Sequence, residues 1–321
     1  MAEVLEDYAL TQRTSKKGSM KKVGIIGCGT MGQEIAQVVS KNGIEVIFVD
    51  VSDERVTEVF LELNAHLDDI IDKWGLTYSE KRAILSRIHG TTEYHDISDC
   101  DLIIESINSR KPGTSVEMRK DIFRKVEAVV PQDTVITSNT STLIISELAS
   151  VLDNPERAVG LHFLSPASQV KIVEVVKGLY TSESAFEYVV KFARMLDKKV
   201  ISLIETPGNI STRLIVTLIN EACEILMEGV ASASSVDETM RLGFGMQFGP
   251  LYMADSIGLD KVIRWMDNLY QEFGDTKFKP NPIIKRLART GNIGKKTGAG
   301  FYKYEKGNIV DEAIHCPEFK Y

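Results

Sequence analysis

The sequence predicts an α/β fold, with a mainly parallel sheet covered by helices and an all-helical region after it. Three observations predict it. Short apolar runs alternate with helix-compatible segments from Lys22 to Ile204, the order expected of parallel strands joined by helical crossovers. A glycine pattern, G-x-G-x-x-G, falls between the first apolar run and the first helical segment. After Pro207-Gly208 the strand-like runs stop, and no convincing one returns before Phe301–Tyr304.

The elements follow in order. Val23-Gly24-Ile25-Ile26 reads as a strand, Met31 to Lys41 as a helix, and the β-branched run Ile44 to Asp50 as a second strand, which together make a βαβ unit. Residues 54–86 hold almost no breakers and predict two helices with a turn around Trp74-Gly75, a long insertion for such a unit. Further strands are expected at Asp101–Ile104, Thr134–Thr137, Ala158–Phe163, Lys171–Val176 and Val200–Ile204. Helices are expected over 117–130, 143–152 and 183–197, then over 210–229 and 258–272. The reading is a doubly wound, Rossmann-type sheet over 20–206, a helical region over 207–305, an N-terminal extension over 1–19 and a loosely held tail over 306–321. A chain of 321 residues exceeds the length at which single cores usually stop growing, so two domains are expected.

Composition narrows the function. Hydrophobic residues make up 43% and charged residues 26%, the mixture of a soluble globular protein with a sizeable core. No apolar stretch is long enough for a membrane span, and Glu3, Glu6 and Asp7 disfavour secretory and mitochondrial leaders. The four cysteines, Cys28, Cys100, Cys223 and Cys316, are far apart and lack metal-site spacing. Neither a metal nor a disulfide is expected, and a cytoplasmic setting follows. A formal charge of -7 argues against nucleic acid as a partner.

The motif Gly27-Cys28-Gly29-Thr30-Met31-Gly32 sits where a dinucleotide site requires it, between strand and helix. Its first glycine permits the tight turn, the second lets a pyrophosphate approach the backbone, and the third lets helix pack on strand. The helix N-terminus then faces the anion. Asp50, at the end of the second strand, is placed to accept hydrogen bonds from the adenosine ribose. Its carboxylate would repel a 2′-phosphate, so NAD is expected over NADP.

His162 closes one apolar run, and Glu174 lies inside another, sharing its face with Ile172 and Val176. A carboxylate in an apolar strand needs a partner, because a buried unpaired charge is costly. An imidazole would serve, and the pair would fix the ring's tautomer. On spacing alone, two separate polar residues at a strand edge remain the alternative.

The stretches Ser138–Leu143, Gly160–Phe163, Lys171–Val175, Gly249-Pro250 with Asp255 and Gly258–Asp260, and Gly294–Tyr302 stand out together, in that order along the chain. They resemble the L-3-hydroxyacyl-CoA dehydrogenase family, including bacterial 3-hydroxybutyryl-CoA dehydrogenases. The resemblance implies an enzyme of fatty acid metabolism in which His162 is the base, Glu174 its carboxylate partner, and Ser141 a hydrogen-bond donor to the substrate oxygen. It also implies Glu105 and Asn139 beside the cofactor, Ser165 and Lys73 towards the substrate, and a homodimer formed by the region after Pro207.

The sequence departs from the family's pattern at several places. Thr212 stands where the family has a substrate-contacting asparagine, with Asn209 in place of the usual aromatic. Ser165 replaces another asparagine, and Ser109 falls where an acidic residue is usual, beside an apparent insertion around Lys111 to Val116. In the insertion helices Asp68, Asp69 and Asp72 accompany Lys73, and carboxylates there would repel a coenzyme A phosphate. The acyl carrier therefore stays open among coenzyme A, an acyl carrier protein and a free hydroxy acid. A relative that binds NAD without turnover is the remaining alternative, against which intact His162 and Glu174 argue.

Overall fold

The computed structural model describes residues 20–108 and 115–313. The expected extension over 1–19, Ser109 and Cys316 lie outside the described residues.

Strand β1 (Lys22–Ile26) leads through the glycine turn into α1 (Thr30–Lys41) and then β2 (Glu45–Val49). Val23, Ile25, Val46 and Phe48 are buried on one face of these strands, and Ile26 and Val49 on the other, because both faces are covered. The insertion forms α2 (Asp53–Asp72) and α3 (Tyr78–Leu85), with Trp74 at φ +59° in the turn between them. Local sequence starts both helices: Ser52 accepts the Arg55 amide, and Thr77 and Glu80 cap each other reciprocally.

A strand absent from the sequence reading follows, β3 (Ile88–Thr91), paired in parallel with β2. Its four residues show no alternation, and Gly90 sits mid-strand because a Cβ there would meet the Phe48 ring at 2.4 Å. Next come β4 (Leu102–Glu105), α4 (Ser115–Glu127), β5 (Val135–Ser138), α5 (Ile145–Ala149) and β6 (Ala158–Phe163). The sheet ends with β7 (Ile172–Lys177), α6 (Glu183–Met195) and β8 (Lys199–Ile204).

Eight strands lie in the order β3-β2-β1-β4-β5-β6-β7-β8. All neighbours are parallel except β6 and β7, which run antiparallel. The chain winds one way from β1 to β3 and the other way from β4, so the loops after β1 and β4 flank a switch point, where such sheets open a crevice. One apolar core lies under α1, α2 and α6, the other under α4 and α5.

Beyond β8 the chain forms α7 (Ile210–Met227), α8 (Ala233–Glu238), α9 (Pro250–Ile257), α10 (Leu259–Phe273) and α11 (Pro282–Arg289). These pack around their own core of Val216, Ile219, Cys223, Leu251, Val262 and Met266. The sequence reading found α7 and α10; α8, α9 and α11 span only six to eight residues, too few for a helical period to stand out.

The expected tail is corrected in its first part. β9 (Tyr302–Glu305) and β10 (Asn308–Glu312) form an antiparallel hairpin, and Glu312 accepts the Ser234 amide at 3.0 Å. Lys306 and Gly307 both take positive φ in the turn, and a Lys-Gly pair lacks the Asn-Gly signature that announces such a hairpin. Among the described residues no helix is long and apolar enough to cross a membrane, and no cluster of side chains could hold a metal ion.

Candidate active site

Each glycine of the turn after β1 has its own reason. Gly27 has φ +86°, and a Cβ on it would come 2.8 Å from Ile107. A Cβ on Gly32 would lie 2.3 Å from the Gly27 carbonyl oxygen, so only glycine lets α1 start this close to the loop. On Gly29 a Cβ would meet nothing within 4 Å. Packing does not demand that glycine; a ligand lying against the backbone would. Gly29 is also the N-cap of α1 and makes no side-chain cap, so the amides of Thr30 and Met31 at the start of the helix are left for an anion.

Asp50 follows β2 and braces this cradle. Its Oδ2 accepts the Cys28 amide at 2.9 Å, and its Oδ1 accepts the Val51 amide at 2.8 Å. The nearby Arg55 guanidinium is engaged by Glu58 at 3.0 Å and Glu62 at 2.9 Å. The surroundings of Asp50 thus stay acidic, and the turn fits a dinucleotide without a 2′-phosphate.

Glu105 and Asn139 stand across the switch point from the cradle. The Glu105 carboxylate is 1% exposed and used internally, accepting the Ile107 amide at 2.7 Å, Arg119 Nε at 3.0 Å and the Ser138 hydroxyl. Both of its oxygens are thus engaged within the protein. Asn139 Oδ1 accepts the Phe163 amide at 2.8 Å, which ties the turn after β5 to the end of β6.

His162 and Glu174 are register partners on β6 and β7, with Nδ1 2.7 Å from Oε2. They are 7% and 1% exposed. Burial pushes the Glu174 carboxyl up, but hydrogen bonds from His162 and from the Ser211 backbone and hydroxyl, together with the imidazole's charge, outweigh it and hold the group below the ordinary glutamate value. An ionised Glu174 assigns the proton to Nδ1 and leaves Nε2 with a lone pair. Nε2 has no hydrogen-bond partner among the described residues.

The turn that carries Ser141 meets the segment that leads into Thr212. The Ser141 carbonyl accepts the Asn209 amide at 3.0 Å, which draws the turn after β5 onto the segment that starts α7. Thr212 lies in the first turn of α7 and is 2% exposed. Neither the Ser141 nor the Thr212 hydroxyl has a partner among the described residues. The Asn209 Nδ2 is buried and also unpartnered.

Ser165 and Lys73 each have a carboxylate partner. The Ser165 hydroxyl donates to Glu34 at 2.9 Å, and the other Glu34 oxygen accepts the Ala167 amide at 2.7 Å, so Ser165 fastens the loop after β6 onto α1. Lys73, at the end of α2, is exposed and paired with Asp69 at 2.6 Å. Lys81 on α3 likewise pairs with Asp68 at 2.7 Å. Two of the three aspartates expected to repel a phosphate are thereby neutralised, by lysines one helical turn or one helix away.

Sequence reasoning missed Ser211, whose amide donates to Glu174 Oε1 at 2.9 Å and whose hydroxyl donates to Oε2 at 2.8 Å. The available signal was its place in the first turn of a helix, where backbone donors lack intrahelical acceptors.

A dinucleotide cradle beside a buried imidazole with one free ring nitrogen defines an oxidoreductase that uses a nicotinamide cofactor. The chain belongs to the 3-hydroxyacyl-CoA dehydrogenase family: residues 22–206 match its NAD binding domain and residues 208–304 its C-terminal domain. NAD is accordingly the cofactor, and the chain is an NAD-dependent oxidoreductase acting on CH–OH. It is 36% identical to a 3-hydroxybutyryl-CoA dehydrogenase of Clostridioides difficile over 285 residues, 89% of this chain and 100% of that one. It is 35% identical to a probable 3-hydroxybutyryl-CoA dehydrogenase of Deinococcus radiodurans, covering 88% of this chain and all of the relative. Among solved structures, (S)-3-hydroxybutyryl-CoA dehydrogenase from Ralstonia eutropha superposes with a TM-score of 0.80 at 36% identity, covering 90% of this chain and 100% of that chain. FadB2 of M. tuberculosis gives 0.85 at 30% identity, covering 89% and 100%.

Proposed function

We propose that this enzyme interconverts a short L-3-hydroxyacyl-CoA, of the 3-hydroxybutyryl-CoA kind, and its 3-ketoacyl-CoA. The observation that carries the reading is the His162–Glu174 pair, with Nδ1 bound to the carboxylate and Nε2 left without a partner. In the oxidative direction Nε2 takes the proton of the 3-hydroxyl while the C3–H bond breaks and its electron pair leaves as hydride. NAD, when bound, supplies the hydride acceptor. Glu174 stabilises the imidazolium that results, and in reduction the same nitrogen returns the proton to the alkoxide. Ser141 and Thr212 direct their hydroxyls at the substrate oxygens, and Thr212 covers with one donor what an asparagine would cover with two polar groups.

Coenzyme A is the carrier this reading favours. Pairing of Asp68 with Lys81 and of Asp69 with Lys73 offsets two of the three aspartates at the end of α2 that would face a phosphate. A homodimer belongs to the same reading. Leu214 on α7 is 67% exposed, and Leu242 and Phe244 in the helical region are 80% and 74% exposed, apolar surface that a second copy would cover.

The test follows NADH oxidation with acetoacetyl-CoA, with the acetoacetyl group on a carrier protein, and with free acetoacetate, for wild type and His162→Ala. Turnover of the CoA thioester that falls by roughly a thousandfold in the variant is the expected result. Wild-type rates in the variant would remove His162 as the base, and preference for either other substrate would remove coenzyme A as the carrier.

A further inference from the structure

We infer that Ser211 is a positioning residue of this reaction: from the helical side of the cleft it holds both oxygens of Glu174 and so sets how strongly that carboxylate supports His162. The inference rests on the role proposed for the His162–Glu174 pair and adds to it a residue that the pair's own strands do not contain.

Glu174 Oε2 is shared between two donors, His162 Nδ1 at 2.7 Å and the Ser211 hydroxyl at 2.8 Å. Oε1 accepts the Ser211 amide at 2.9 Å. Ser211 is the second residue of α7, directly after Ile210 and the N-cap Asn209, so its amide has no acceptor within the helix. The positive end of the α7 dipole therefore faces a carboxylate that is 1% exposed. The donor and the acceptor belong to different parts of the fold, Glu174 to strand β7 of the sheet and Ser211 to the first turn of α7, whose later residues Val216, Ile219 and Cys223 pack in the core of the helical region.

Two consequences follow. With both oxygens pinned, the carboxylate cannot rotate, and the ring that donates to it is held in one orientation. The hydroxyl also competes with the imidazole for the same oxygen. A donor on Oε2 draws charge density away from Nδ1 and lowers the support available to an imidazolium. Removing it should make His162 easier to protonate. A serine serving only to fasten α7 to the sheet would affect stability and leave that proton equilibrium alone.

The experiment measures the pH dependence of kcat/KM for 3-hydroxybutyryl-CoA oxidation with NAD, for wild type, Ser211→Ala, Ser211→Thr and His162→Ala, alongside their melting temperatures. In Ser211→Ala the acidic limb should move to higher pH by roughly 0.3 to 1 units, a partial share of a hydrogen bond to a charged group. At the plateau kcat should fall roughly three- to thirtyfold, with KM for NAD unchanged. Ser211→Thr keeps a hydroxyl and should restore the wild-type limb. A limb in Ser211→Ala that coincides with wild type while only the melting temperature drops would overturn the inference, as would a folded Ser211→Thr that keeps the shifted limb. If His162→Ala is inactive and Ser211→Ala shows the wild-type limb, the inference about Ser211 fails alone. If His162→Ala turns over like wild type, the reading of the pair fails with it.

Discussion

His162 and Glu174 face each other directly across the one antiparallel pairing in the eight-stranded sheet, with Nδ1 2.7 Å from Oε2. The reversal between β6 and β7 makes this possible. Parallel neighbours need a long crossover, whereas an antiparallel pair brings two residues twelve positions apart into register through a short loop. That loop is held at both ends: Glu34 takes the Ala167 amide and the Ser165 hydroxyl, and the buried Lys198 ammonium donates to the Ala167 and Val170 carbonyls. The base and its partner therefore sit on rigid strands joined by a braced turn, which fixes their geometry before any substrate arrives.

Glu174→Gln should keep the shape of the pair and lose its charge. The amide can still meet the Ser211 amide through its carbonyl, but its NH2 then faces Nδ1 and favours the tautomer with the proton on Nε2. The base would present a hydrogen to the hydroxyl it must deprotonate. Oxidation kcat should fall roughly 100- to 1000-fold, with the Kd for NADH, read by fluorescence titration, unchanged. A variant within about threefold of wild type would show that the carboxylate's charge is not needed.

The glycine turn separates folding from binding at two positions three residues apart. In Gly32→Ala the added methyl falls 2.3 Å from the Gly27 carbonyl oxygen, and the start of α1 must shift, so stability and NADH affinity should both drop. In Gly29→Ala the methyl meets nothing within 4 Å, and the residue's φ of −72° suits alanine. Stability should stay within about 0.5 kcal/mol of wild type, while the methyl occupies the path of the pyrophosphate and the Kd for NADH rises roughly tenfold or more. Thermal melts with parallel NADH titrations check this, and equal losses of affinity and stability in Gly29→Ala would mean that the backbone there serves packing.

Much of the molecule could be read from its residues where the signal is local and repeated. The βαβ unit, the glycine turn and the helical pair over 53–85 announce themselves through period, caps and breakers. What stayed hidden depends on distance. Ser211 reaches Glu174 across 37 positions, from helix α7 to strand β7, and no window of sequence contains both. Lys81 meets Asp68 only because α2 and α3 fold back on each other, and the acidic run in α2 looked unpaired without it. Ser165 and Lys73, expected near the substrate, meet Glu34 and Asp69, carboxylates whose closeness is set by tertiary packing in the first case and by one helical turn in the second.

Asp255 gives the pH dependence of the helical region a definite sign. It lies on α9, 1% exposed, with Oδ1 accepting the Phe301 amide at 2.9 Å and Oδ2 accepting the Tyr302 amide at 3.0 Å and the Tyr304 hydroxyl at 2.8 Å. Gly294 and Gly300 pack so tightly on it that a Cβ on either would come within 2.2 Å. Burial, helped by the nearby Asp237, raises its carboxyl to about 6 from the ordinary 3.8, and the donors only moderate the rise. Between those two values the folded protein keeps a proton that the unfolded chain has released, so this group's contribution to stability is full below about pH 4, declines as pH rises, and is flat above about pH 6. Asp255→Asn does not titrate and turns an NH2 towards donors that need an acceptor, which should cost about 1–3 kcal/mol near pH 4. That cost should shrink as pH rises through about 6, because only the wild type loses stability across the window. Urea midpoints of both proteins from about pH 4 to about pH 8 measure the difference, and a cost that stays constant or grows with pH would show that Asp255 is ionised throughout.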